Sequence, residues 1–170
     1  MSKLHKSEIV PTHFEVFHNY YKIRKELNKQ QHYNFGYKKP KVNPCDKFGI
    51  PRDESEIAKI QAEIDAMDVE NQMLIADTKA EIQVCLRAII RDVVKANDIY
   101  VTSQLEKDTR RLLQDEAIGE LDCILQELQN LLENIIQIDK NRFTQVALLI
   151  DKEINLIKGW RKSDNKIKIG

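Results

Sequence analysis

His13 and His18 are the candidates for a metal-binding pair in this chain, and they stand five residues apart. Two histidines that share one helical face for a metal stand four apart, so this spacing turns the rings away from each other. Cys45 follows in the same part of the chain, and no fourth ligand stands at a recognisable spacing. A di-iron carboxylate site could draw on the many Glu and Asp residues, but it needs Glu-x-x-His motifs. Every histidine lies before residue 33, which excludes that site. Neither a G-x-S-x-G elbow nor a Gly-rich phosphate loop is present. Cys85 as a nucleophile would need a histidine brought to it by the fold, and nothing in the sequence indicates one. The expectation is a chain with no catalytic residue, no metal ligand set and no cofactor.

What remains is charge and aromatic surface. The formal net charge is zero over 170 residues, but the charges are segregated. Residues 1–52 hold 11 Lys/Arg against 4 Asp/Glu, a net +7, and all four histidines. Residues 53–157 hold 11 against 22, a net −11, and residues 158–170 hold 5 against 1, a net +4. An acidic middle with two basic ends either contacts something anionic or folds its ends back on acidic helices. In the N-terminal stretch, Lys38, Lys39 and Lys41 interleave with Tyr33, Phe35, Tyr37 and Phe48. Such a stretch can hold a nucleic-acid strand by phosphate contact and base stacking. It can equally anchor an arm on a protein partner with the aromatics as buried knobs, and no RNA-binding signature accompanies them. Near the other end, Trp160 follows Gly159 and precedes Arg161 and Lys162. There it is either last-turn core, with the basic pair suiting the negative helix end, or part of a binding surface.

The elements that position these residues are helical. From Asp53 to Ser163 there is no proline, and apolar residues recur at three- and four-residue spacing. After an unstructured 1–11 segment, Thr12 with Glu15 suggests a capping box for a short first helix. Its stripe is Phe14, Phe17, Tyr21 and Leu27, its polar side Lys22, Arg24, Lys25 and Lys29, and its end is near Gln30. Prolines 40, 44 and 51 with Gly36 and Gly49 exclude a regular element from 31–52. A connection that long is commonly functional or disordered.

Asp53 or Ser55 opens the second helix. Ile57, Ile60, Ile64, Met67, Asn71 and Leu74 form a heptad seam, which then shifts to Ile75, Ile82, Leu86, Ile89 and Val93. That shift predicts a stutter, a bend or a break, with Asn71 at the join in a core position. Unbroken, residues 54–97 span about 66 Å, long enough for the 54–74 part to project and pack on another subunit. Ala96-Asn97-Asp98 turns the chain, and Thr102 or Ser103 caps the third helix. Its stripe runs from Leu105 through Leu121 and Leu128 to Ile135, and Gly119 within it suggests a close helix crossing. Asp139-Lys140-Asn141 makes the next turn, and Phe143, Val146, Ile150, Ile154, Ile157 and Trp160 stripe the fourth helix. Residues 164–170 read as a mobile basic tail.

Length and composition fit one all-α domain, an antiparallel four-helix bundle with a long basic, aromatic N-terminal arm. The expected division is an arm over 1–52, a bundle over 53–163 and a tail over 164–170. Three cysteines without C-x-x-C spacing suit a reducing, cytoplasmic compartment, and Cys85 and Cys123 both fall on apolar helix faces. The first residues lack the apolar run of a signal peptide, and no apolar run reaches membrane-spanning length.

The run Asn141–Ser163 carries Glu153-Ile154, Leu156-Ile157, Gly159-Trp160 and Arg161-Lys162 in succession. It resembles the closing helix of the Avd-like four-helix bundle family, the accessory proteins of diversity-generating retroelements. The stripes around Ile82–Val93 and Ala117–Leu128 are similar too, so the resemblance covers about residues 75–163. It implies a small bundle that assembles as a homo-oligomeric ring and binds a reverse transcriptase and its template RNA through basic surface. Here that surface would be Arg142, Lys158, Arg161, Lys162, Lys166 and Lys168, joined by Trp160, Lys38, Lys39 and Lys41. The expected protein-docking set is Phe14, Phe17, Tyr21, Tyr33, Phe35, Tyr37 and Phe48. The function expected is a non-enzymatic accessory subunit touching RNA or DNA. The alternative is an adaptor subunit of a large assembly that docks through its arm and its long second helix.

Overall fold

The computed structural model describes residues 14–170. The 1–11 segment, the cap assigned to Thr12 and the candidate ligand His13 lie outside the described residues. Four α-helices are described: α1 (Glu15–His32), α2 (Glu54–Asp98), α3 (Gln104–Asn134) and α4 (Thr144–Asp164). No strand is formed among the described residues, and the fold is an all-α bundle.

The starts of α2 and α3 fall on cap residues offered by the sequence, whereas Phe14 and Phe143 precede α1 and α4 without a side-chain cap. Asp53 is the N-cap of α2, its carboxylate accepting from the Glu56 amide at 2.8 Å. Ser103 caps α3 in a full capping box: Ser103 Oγ accepts from the Glu106 amide, and Glu106 Oε2 accepts from the Ser103 amide at 2.9 Å. Asp139 Oδ1 accepts from the Asn141 amide at 2.9 Å and turns the chain into a 3₁₀ segment, Lys140–Phe143, that leads into α4.

The helices run up, down, up, down. α2 and α3 form one long antiparallel hairpin, and α1 pairs antiparallel with α4. Asn19 Nδ2 donates to Leu149 O at 2.9 Å near one end of α1, and Gln30 Nε2 donates to Arg142 O at 3.4 Å near the other. Thus α1 is a bundle helix rather than part of an arm beside the bundle. Its buried face runs through Val16, Phe17, Tyr20, Ile23 and Leu27, and Tyr21 is only half-buried. The Tyr20 hydroxyl donates to Leu86 O at 2.7 Å, tying α1 to α2, and burial pushes it up to about 12.

The core is continuous through Ile75, Ile82, Leu86 and Ile89 of α2, Leu121, Ile124 and Leu131 of α3, and Val146, Ile150 and Ile157 of α4. Each such fully buried aliphatic contributes about 1.5–3 kcal/mol. One open alternative is settled here and two expectations are revised. α2 is one unbroken 45-residue helix, about 67 Å long, so the seam shift at Asn71 is a stutter and not a break. Cys85 is buried but Cys123, next to the buried Ile124, is exposed. A methyl group at Gly119 would meet nothing within 4 Å, so this glycine marks no close helix crossing. The tail also returns to the bundle: buried Asp164 accepts from Gln114 Nε2 at 2.9 Å and pairs with Arg110 at 3.4 Å. Beyond it, Lys107 donates to the Ile167 carbonyl.

The 33–52 connection is ordered by its own chemistry. Asn34, Phe35 and Gly36 all take positive φ, at 51°, 55° and 78°. This left-handed turn drives the Phe35 ring into the core, edge-on to Phe143 at 6.0 Å. Only glycine adopts such a φ freely, and the Arg142 side chain lies 2.8 Å from where a Gly36 Cβ would stand. The chain then runs antiparallel along the first half of α2. Tyr37 Oη donates to Asp68 Oδ1 at 2.7 Å and accepts from Asn71 Nδ2 at 3.5 Å, and Lys39 pairs with Asp65 at 2.6 Å. The inner side of the projecting helix therefore meets this chain's own loop, and Ile57, Ile60, Ile64 and Met67 are half-buried.

Candidate functional site

Helix pairing sorts the charges by layer. α1 carries 4 Lys/Arg against 2 Asp/Glu and α4 carries 4 against 3, net +2 and +1. The connection 33–52, net +4 from 5 against 1, lies instead along the first half of α2. In the other layer, α2 carries 5 against 10 and α3 carries 3 against 8, net −5 each. The bundle is two-faced, basic along α1 and α4 and acidic along α2 and α3.

On the basic layer, Lys22, Lys25 and Lys29 stand at steps of three and four along the exposed side of α1. They line a groove of about 510 Å³ with Glu26, and with Gln145 and Leu149 of α4. Glu26 Oε1 accepts from Gln30 Nε2 at 3.1 Å, so the groove's one carboxylate is partly engaged within its own helix. Three ammonium groups around a shallow, mainly apolar floor suit consecutive phosphates of an extended strand.

The residues expected on a nucleic-acid surface divide into free and engaged groups. Lys158, Lys162, Lys166, Lys168, Lys38 and Lys41 are exposed. Arg161 is paired with Asp115 of α3, Lys39 with Asp65, and Arg142 donates through Nε to Gln30 Oε1 at 2.9 Å. Trp160 is half-buried, edge-on to Phe14 at 4.8 Å, with Arg110 over its ring at 5.1 Å. Its ring is thus held within the bundle rather than presented for stacking on a base. The structure does not gather these residues into one patch. Arg142 stands at the start of α4 and Trp160, Arg161 and Lys162 at its end, on antiparallel partners of α1.

The expected protein-docking aromatics divide in the same way. Phe17, Phe35 and Tyr37 are core residues of this chain, which removes them as knobs for another. Phe14 and Tyr21 pack half-buried against the core, and the Arg24 guanidinium lies over the Tyr21 ring at 4.7 Å. Tyr33 and Phe48 are exposed. Phe48 sits at the tip of a tight turn: Asp46 Oδ1 accepts from the Phe48 and Ile50 amides at 2.8 and 2.9 Å, and Cys45 bridges Pro51.

The groove lysines were readable as the polar side of α1 but not as a site, because only the fold sets α4 beside them. Elsewhere, burial and neighbouring Glu120 push the Cys85 thiol up to about 12, so it stays protonated at neutral pH. No cluster of three His, Cys, Asp or Glu side chains is placed to hold a metal among the described residues. Nor is any described helix long and apolar enough to cross a membrane. No family model, curated protein or solved structure matches the chain.

Proposed function

We propose that this protein is a non-catalytic accessory subunit of a nucleic-acid-processing complex, and that it holds a single-stranded RNA or DNA segment on its α1–α4 layer. The observation that carries this reading is the convergence of Lys22, Lys25 and Lys29 on one groove, on the basic side of an otherwise acidic bundle. The resemblance of residues 141–163 to the Avd-like family supports it and supplies two further parts. These are a reverse transcriptase as the catalytic partner and a homo-oligomeric assembly. With Trp160 engaged internally, the strand is held chiefly through its phosphates, and binding is insensitive to base sequence.

The triple variant Lys22→Gln, Lys25→Gln, Lys29→Gln tests this. All three side chains are exposed, so the bundle folds as before. Each lysine that no longer neutralises a phosphate lowers the slope of log affinity against log salt by about 0.7 for a single strand, so the slope falls by about 2. Affinity for a labelled single-stranded RNA at 0.1 M salt, on the order of physiological ionic strength, falls at least about tenfold. An unchanged affinity and an unchanged salt slope would remove the groove from the function.

A further inference from the structure

The outward side of α2 is apolar where a solvent-facing helix should be charged. Ala62, Ala66, Val69, Met73, Ala76 and Ala80 alternate steps of four and three, six successive positions of one heptad seam. At 100° per residue this seam lies opposite the buried residues Asn71, Ile75, Thr78 and Ile82, so α2 has two apolar faces back to back. All six residues are exposed, Val69 at 60% and Met73 at 64%, and the seam extends about 27 Å. Along one flank stand Glu63, Glu70 and Asp77, seven residues apart, and none has an ion-pair partner among the described residues.

We infer that this seam is a docking site for a cationic amphipathic helix of a partner protein. Charge complementarity identifies the occupant. Apolar knobs of an incoming helix fit over alanines, which let it approach closely, while its flanking Lys or Arg meet the carboxylate row. A second copy of α2 fits poorly in either direction. Antiparallel pairing sets the row of Glu63, Glu70 and Asp77 against itself, and parallel pairing sets it toward a flank of Asp65 (already paired with Lys39), Gln72 and Lys79, whose one cation is bonded to Asn34. The basic side of α1 in a neighbouring copy offers Lys22, Lys25 and Lys29 but no apolar seam between them. The seam is independent of the strand-binding groove, which lies on the other layer.

The test uses the full chain and two synthetic 21-residue helical peptides with Leu at the seam positions. One carries Lys on both flanks and the other Glu. Fluorescence anisotropy should show the Lys peptide binding at least tenfold more tightly than the Glu peptide. The double variant Val69→Glu, Met73→Glu alters only exposed side chains, with folding checked by circular dichroism. It should weaken the Lys peptide at least tenfold even though it adds negative charge, because the apolar seam is lost. Equal binding of the Lys peptide to parent and double variant would overturn the inference, as would failure of the Lys peptide to bind. So would a parent dimer in light scattering that the double variant converts to a monomer, since a second copy would then own the seam. RNA affinity measured on the same double variant should be unchanged, which keeps this test separate from that of the groove.

Discussion

Replacing Glu153 by glutamine should stabilise the protein at pH 9 by several kcal/mol and leave its stability nearly unchanged at pH 4. Glu153 is fully buried between α4 and α1, and neither carboxylate oxygen has a hydrogen-bond partner. Burial pushes its carboxyl from the ordinary 4.5 up to about 8, with Asn19 and Lys152 offsetting part of the effect. The amide nitrogen of Asn19 is committed to Leu149 O, and its Oδ1 is itself unpaired. A neutral carboxyl carries an O–H that can serve Asn19 Oδ1, whereas a carboxylate carries none.

The native state thus keeps a proton that the unfolded chain releases near pH 4.5. Between about 4.5 and 8 the native state holds more protons, so stability falls as pH rises through that window and levels off above it. At about 1.4 kcal/mol per unit, the loss is on the order of 5 kcal/mol. Glutamine has the shape and the donor of the neutral acid and does not ionise, so its stability profile should be flat over the same window. Urea unfolding of both proteins at pH 4, 6, 7.5 and 9 measures this. Parallel profiles would show that Glu153 reaches water and carries no such penalty.

The second large effect belongs to Phe35. Its side chain is wholly buried at the left-handed turn that starts the 33–52 connection, against Phe143. Phe35→Ala removes the ring and leaves a cavity where α1, the turn and the start of α4 meet, a loss of about 3–5 kcal/mol. The same change unpins Tyr37 and Lys39 from Asp68 and Asp65 and frees the backbone beside the already exposed Lys38 and Lys41, so the bonds after these two lysines become cleavable. Trypsin under native conditions should cut the variant there first and leave the parent intact at equal exposure times. A loss below about 1 kcal/mol with no new cleavage would mean that the connection is held without its aromatic anchor.

Particular residues show what was legible. Asp53 and Ser103 are each one of two cap candidates in the sequence, because capping is a local contest between side chain and backbone, whereas Asp139 reads only as part of a turn. The stripes of α3 and α4 follow from helical periodicity, except at Leu105, which is exposed at the start of α3. The continuity of α2 does not, because a seam shift reads the same whether the helix stutters or stops, and only packing against α3 decides. Cys123 stands one residue before buried Ile124, near the edge of the stripe, where burial depends on helix rotation. Phe35 and Tyr37 read as free arm aromatics because the turn that buries them takes positive φ at Asn34 and Phe35, a conformation non-glycine residues seldom announce. The lysine groove needed two helices more than a hundred residues apart in sequence, which no local pattern specifies. The outward seam of α2 was present in the sequence, masked by the stronger inward seam of the same helix.

A strand lying along α1 and α4 is tested most directly by ultraviolet crosslinking of a bound single-stranded RNA, followed by peptide mapping. Crosslinks on peptides spanning Lys22–Lys29 of α1 and Gln145–Leu149 of α4 are expected. Crosslinks confined to α2 and α3, or none on a chain that elutes with the RNA, would contradict it.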